Sequence, residues 1–316
     1  MVPRTATGLH GRLPSPGAVA GLLAGTVTSG AFAAGWSLVR ALPEPAAHRL
    51  FRAGADLAAL RGGPAVDRLR RNLTRVAPGA EPEALVREGL RSYARYWCEV
   101  FRLPVTPAER IQAGMELVDP PGALHAAARS GRGAVLALPH SGNWDHAGAW
   151  LVGQGVPFTT VAERLRPESL YDRFVAFREG LGMEVLPLTG GQPPFAVLTE
   201  RLRAGGTLCL LADRDLSARG VGVDFFGART RMPAGPAALA LRTGAVLLPV
   251  TLSFREQGWR AVVHPEIPHS DVGRMTQQLA DAFAQGIAAH PADWHMLQRL
   301  WLDDLAPDDP RRREPA

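Results

Sequence analysis

The sequence contains no lysine. All 35 basic residues are arginine, a bias that the base composition of coding DNA explains without any functional meaning. Cysteine occurs only as Cys98 and Cys209. No C-x-x-C pair is present and no Cys/His cluster has zinc spacing, so a cysteine-zinc site is excluded. Two structural cysteines in a reduced compartment fit this usage. The absence of G-x-S-x-G removes the serine-hydrolase elbow. No glycine-rich nucleotide loop follows an early strand. No internal repeat and no flexible linker divide the chain. Charged residues are scarce enough, at 21% against 46% apolar, to exclude disorder and supply an ample core.

Long apolar runs are also few. Only residues 13–39 lack charge over a length that could span a bilayer. They are mostly Ala, Gly, Ser and Thr, which insert weakly, although Arg4, Arg12 and "AFAAG" imitate a signal peptide. A helix packed on the domain or lying on the membrane surface is expected instead. The net charge of +5 is uneven: residues 1–102 carry 14 Arg against 7 acids, and the remainder 21 Arg against 23 acids. A basic N-terminal third suits an anionic membrane or nucleic acid, or simply a solvated face.

Along the chain, residues 1–29 read as a leader, disordered or a membrane-surface helix. Residues 30–302 form a single α/β domain whose part 30–115 is helical, and 303–316 is a disordered tail. The segment 81–103 places Leu85, Leu90, Tyr93, Tyr96, Trp97 and Val100 near helical spacing, with Arg87, Arg91 and Arg95 on another side. That pattern suits core packing or a membrane surface. After residue 115 strands and helices alternate. Strands are expected at 133–139, 158–162, 183–188, 206–212, 244–254 and 259–264. Helices fall at 121–130, 144–153, 168–181, 193–204, 234–242 and 271–289. Short apolar strands between helices predict a largely parallel central sheet flanked by helices on both faces.

Ligand crevices in such sheets lie at the carboxyl ends of strands. The buried run "AVLALP" stops at His140, followed by the capping turn Ser141-Gly142-Asn143 and by Asp145. In one continuous helix, a separation of five residues would put the side chains about 140° apart. A strand–turn–helix lets the chain fold back, so that Asp145 reaches one imidazole nitrogen and the other is free to take a proton. His140 then acts as general base on an acceptor hydroxyl. Two further strand ends deliver charge to the same rim. Strand 206–212 ends at Asp213, Arg214 and Asp215, where Asp213 either supports His140 or orients the acceptor hydroxyl and Arg214 could hold an anion. Strand 158–162 ends at Glu163, Arg164 and Arg166, with Arg178 on the next helix. The helix start after "RMPAG", beside Arg229 and Arg231, forms a phosphate site or carries surface ion pairs. "DWHMLQRLW" near the end reads as packing, with Trp294 and Trp301 also able to line an apolar groove.

These segments carry a resemblance. "LPHSGNWDHAGAWL" resembles the H-x4-D motif of glycerolipid and lipid A acyltransferases. "LADRDLSARGVGVDFFG" with "RMPAGPAALALRTGAVLLPV" is similar to the lipid A lauroyl/myristoyl acyltransferase superfamily. "AAGWSLVRALPE", "SYARYWCEVFRLP", "TTVAERLRPESLYDRFVAFREGLGMEVLPLTGG" and "HPADWHMLQ" resemble its phosphatidylinositol mannoside acyltransferase branch, over roughly residues 30–302. The resemblance implies transfer of a palmitoyl-type chain from acyl-CoA, a co-substrate, to a mannose hydroxyl of phosphatidylinositol mannoside. It implies a peripheral enzyme on the cytoplasmic face of the cell membrane. It makes His140 the base, Asp145 its partner and Asp213 a further catalytic acid. Glu163, Arg164, Arg178, Arg214, Asn143 and Arg231 fall among the substrate-binding candidates. No metal, no cofactor and no nucleic acid are expected, and the chain is expected to be a monomer. Amides of the Ser141–Asn143 turn are candidates for the oxyanion.

Three rivals make different demands. A glycosyltransferase would use Asp213 and Asp215 as a metal-holding D-x-D. A metal hydrolase would use His140, Asp145 and His146. A membrane-binding protein without catalysis would use only the basic helices. A chelator separates the first two from metal-free acyl transfer.

Overall fold

The computed structural model describes residues 34–119, 122–164, 168–190, 193–215, 220–309 and 312. The expected leader, residues 1–29, lies outside these residues, and a helical stretch 34–41 leads into the domain. Three helices come first: α1 (Glu44–Arg61), α2 (Pro64–Val76) and α3 (Pro82–Arg102). Proline sits in the first turn of each, where its missing N–H costs no helical hydrogen bond. Glu81 caps α3 by accepting from the amides of Glu83 and Ala84. The break between α1 and α2 is Gly62–Gly63, both at positive φ.

The remainder alternates. Short α4 (Ala108–Ala113) leads to β1 (Met115–Val118), α5 (Ala123–Arg129), β2 (Ala134–Leu138), α6 (Trp144–Gly153), β3 (Phe158–Ala162) and α7 (Glu168–Glu179). Then come β4 (Glu184–Pro187), α8 (Pro194–Arg203), β5 (Thr207–Leu211), the hairpin β6 (Val221–Phe225) and β7 (Ala228–Met232), α9 (Gly235–Thr243), β8 (Val246–Phe254), β9 (Trp259–Val263) and α10 (Val272–Ala289). The main sheet runs β1-β9-β8-β2-β5-β3-β4, and all its pairings are parallel except β8–β9. Strand β1 was not expected. Its four half-buried residues at the sheet edge are too few to show a period.

Alternation along the strands splits the core in two. Val135 and Ala137 of β2, with Leu247 of β8, face a cluster that contains Leu202 of α8, Leu239 of α9 and Phe283 of α10. Leu136 and Leu138, with Leu248 and Val250, face the opposite cluster, which holds Trp150 and Leu151 of α6 and Phe174 of α7. Every residue of β2 is buried, as a central parallel strand covered on both faces requires. Past Trp301 the chain turns through Leu302–Asp304 to buried Leu305, inside the stretch expected to be a loose tail. Among the described residues, no helix is long and apolar enough to cross a membrane.

Candidate functional site

β2 pairs with β5 in parallel, Leu138 opposite Leu211, and the Ala212 amide continues the ladder to Leu138 O at 2.8 Å. The residues just beyond these strand ends are His140 and Asp213, so the strand pairing itself sets them side by side. Asp213 Oδ1 lies 2.5 Å from His140 Nδ1, and Oδ2 accepts the backbone N–H of His140 at 3.0 Å. Asp213 is fully buried while the His140 side chain is about a quarter exposed. Burial alone would raise the Asp213 carboxyl. His140 beside it and the N–H groups of His140 and Trp294 outweigh that and hold it below its ordinary value. A carboxylate on Nδ1 fixes the tautomer with Nε2 as the acceptor.

The expected contact between Asp145 and the imidazole is corrected. Asp145 is the second residue of α6, and it faces Arg178 of α7 and Tyr96 of α3. The Arg178 guanidinium donates to Asp145 Oδ1 at 2.7 Å and Oδ2 at 3.2 Å, and the Tyr96 hydroxyl donates to Oδ2 at 2.9 Å. Burial would lower the Arg178 pKa, but the Asp145 charge more than offsets it and the pKa is raised. Burial, with Asp145 next to it, pushes the Tyr96 hydroxyl well up. The turn geometry explains the correction. Gly142 takes a positive φ and Asn143 an extended conformation ahead of α6, whose first residue, Trp144, meets the imidazole while Asp145 turns to α7 and α3.

Asp145 and Arg178 line one end of an apolar cavity between α6 and the sheet. Its walls come from Leu136 and Leu138 of β2, Phe158 of β3, Leu211 of β5, Val250 of β8, and Trp144, Gly148 and Trp150 of α6. Trp144 belongs to this wall and also meets the His140 ring edge-on, with centroids 5.6 Å apart. Trp144 thus stands between the cavity and the histidine.

The other expected site residues divide. Glu163, past β3, meets Arg214, past β5, at 3.2 Å, so charges from neighbouring strand ends do converge on this rim. Arg164 pairs instead with Glu168 and the carbonyl of Gly190, and both side chains of that pair are exposed. Asn143 is buried as the N-cap of α6. Its Oδ1 accepts the His146 amide and its Nδ2 donates to Glu99, so it is committed to the fold rather than open to substrate. Arg231 is buried under the hairpin and donates to Gly220 O, which withdraws it from the expected phosphate site. Arg229 pairs with Asp224 on the hairpin surface. Asp215 caps the Gly220 amide. With Asp213 on His140, the two acids of the D-x-D are thus turned to different partners. In the 141–143 turn, the amides of Ser141 and Gly142 are already bonded to Pro139 O and Asp293 O, which takes both from the expected oxyanion donors.

Sequence reasoning missed the contribution of residues 293–295 and of α3. Trp294 Nε1 donates to Asp213 Oδ2 at 2.9 Å. The His295 amide donates to His140 O at 2.8 Å, and its Nε2 lies 3.0 Å from Ser92 Oγ. Burial holds His295 down at about 3, so it stays neutral. Glu99 of α3 accepts from Asn143, Trp259 and Arg95. The available signal was compositional: "SYARYWCE" and "DWH" crowd aromatic, histidine and acidic residues into short spans.

The sequence matches the model of the bacterial lipid A biosynthesis acyltransferase family over residues 23–303. It is 56% identical over 311 residues to a phosphatidylinositol mannoside acyltransferase of Mycolicibacterium smegmatis, covering 96% of this chain and 98% of that protein. It is 55% identical over 294 residues to a protein of the same name from Mycobacterium tuberculosis, covering 89% and 90%.

Proposed function

The chain belongs to the bacterial lipid A biosynthesis acyltransferase family and is an O-acyltransferase, and from that premise we propose that it moves a palmitoyl-type chain from acyl-CoA to a mannose hydroxyl of phosphatidylinositol mannoside. The names of the relatives from M. smegmatis and M. tuberculosis supply the acceptor. The observation that carries the chemistry is the His140–Asp213 pair beside an apolar cavity at the carboxyl edge of the sheet.

Asp213 holds Nδ1–H, and Nε2 takes the proton of the mannose hydroxyl as that oxygen attacks the thioester carbon. The imidazolium that forms is stabilised by the buried carboxylate. The tetrahedral intermediate collapses with loss of the coenzyme thiolate, which receives the proton from His140. A thiolate leaves readily, so the step needs neither a metal nor a resident cofactor. The apolar cavity between α6 and the sheet, about 90 Å³, takes a short stretch of the acyl chain. Arg178, fixed by Asp145, and Tyr96, which also holds Asp145, shape the polar side of that cavity. Glu163 and Arg214 form a polar rim for the acceptor.

The enzyme works at the cytoplasmic membrane surface as a peripheral protein. Support comes from α1, where Leu50, Leu57 and Leu60 are exposed beside Arg49, Arg52 and Arg61. An apolar stripe flanked by arginines suits an anionic bilayer surface. The decisive experiment is transfer from radiolabelled palmitoyl-CoA to purified phosphatidylinositol mannoside with excess EDTA. Wild type is expected to yield labelled glycolipid and His140→Ala none. No product from folded wild type sinks the substrate assignment, and equal product from the variant sinks the base.

A further inference from the structure

Asp213 has two oxygens and three donors around it. Oδ1 faces His140 Nδ1, while Oδ2 receives the His140 backbone amide and the Trp294 indole N–H. The amide cannot orient the carboxylate independently, because it belongs to the residue being oriented. The indole is the donor anchored elsewhere. Trp294 is fully buried and packs against Phe225 and Trp301, with centroids 6.0 Å from each. Its ring plane is fixed by these two edge-on contacts, at 73° and 76°, so its N–H has a fixed direction. The main chain around it is stitched to the histidine turn. Ser141 and Trp294 form a β-bridge, Gly142 N donates to Asp293 O, and His295 N donates to His140 O. Backbone and side chain of one short strap thus hold both members of the pair.

We propose that Trp294 is a positioning residue of the transfer reaction, its indole N–H pinning one oxygen of Asp213 so that the other meets His140. This rests on the reading of His140 as the base. Without the N–H, the carboxylate loses a donor and becomes more basic. It then grips the imidazolium more strongly, which raises the pH at which His140 becomes free base. The pair also loses its fixed orientation, so Nε2 is aimed at the acceptor hydroxyl less of the time. The acid limb of kcat/KM moves to higher pH and kcat falls, while KM for either substrate stays near its value because Trp294 touches neither.

The test is Trp294→Phe, which deletes the donor and keeps an aromatic ring. A second replacement by 3-benzothienylalanine keeps both rings without the N–H, in case the smaller ring disturbs the fold. The expected result is a kcat lower by about tenfold, the scale of one lost hydrogen bond expressed in the transition state, with the acid limb displaced upward. Trp301→Phe is the control, since its N–H donates to Phe225 O in the same stack and its loss is expected to leave the limb in place. An unmoved limb in both Trp294 replacements overturns the proposal, as does a loss confined to KM. Failure of the underlying reading looks different: His140→Ala would then turn over like wild type.

Discussion

Asp145 is almost completely buried, and its partner Arg178 is largely so. A guanidinium in that position is tolerable only because a carboxylate takes two of its N–H groups and a tyrosine hydroxyl completes the carboxylate. Removing either charge strands the other inside the protein, which costs about 3–5 kcal/mol. Removing both leaves no isolated ion. Asp145→Ala and Arg178→Ala are therefore each expected to destabilise strongly, and the double variant to cost little more than one of them. Urea unfolding of the four proteins measures the coupling. Additive losses would mean that the pair does not act as a unit and that water already solvates the guanidinium. Asp213 follows a different rule, because its partner is an imidazole that can shed its charge.

Between β2 and α6 the chain makes a turn whose shape decides which acid the histidine meets. Gly142 sits at φ +57, and a Cβ there would stand 2.9 Å from the carbonyl carbon and Cβ of Leu252 in β8. Gly142→Ala would therefore meet backbone strain and a clash that pushes the turn off β8 and off Asp293 O. Gly227, in the β6–β7 hairpin, has φ +74 with nothing within 4 Å, so its alanine variant meets strain alone. We expect Gly227→Ala to cost about 1 kcal/mol and Gly142→Ala about 1–3 kcal/mol more, read from urea midpoints. Equal losses would show that the turn is not wedged against β8. Elements of this kind were legible in the sequence where their cause is local. The buried run of β2 and the Asn143 cap announce themselves within a few residues. The partner of His140 did not, because it depends on β5 lying beside β2, and strand order is not a local property. Asp145 is five residues from His140 but points to α7, whereas Asp213 is 73 residues away and touches it. Trp294 reaches the site from the far end of the chain, where its segment reads as packing and is packing as well.

Two buried histidines make the stability of the whole molecule depend on pH. Burial holds both His146 and His295 down at about 3. His146 stacks on Trp259 with centroids 3.4 Å apart, and its Nε2 has no hydrogen-bond partner. His295 lies among Tyr93, Tyr96, Trp144 and Phe254, with Nδ1 unpartnered. Both rings fold neutral, while in the unfolded chain they titrate at the ordinary value near 6.5. Above that pH neither state binds the protons and the stability is fully present. As pH falls from about 6.5 toward 3, the unfolded chain takes up protons that the folded protein refuses, so stability is lost. Asp213, held below its ordinary value, adds to the loss lower down as pH falls through its folded pKa. Asp293, raised mainly by burial, opposes it, because it binds its proton more readily when folded. Burial also lowers His48 and His264, so four histidines stand against one acid and leave a net loss, on the order of 1 kcal/mol per pH unit for each proton taken up. Urea unfolding at steps from pH 7.5 to 4.5 is expected to show a slope of at least two protons near pH 5. His146→Leu is expected to reduce that slope by one proton, whatever it does to stability at pH 7.5. A flat profile between pH 7 and 5 would mean that both rings accept charge without unfolding. In that case the strap carrying His295 could open while the sheet stays folded, and His140 would lose its seat before the molecule loses its core.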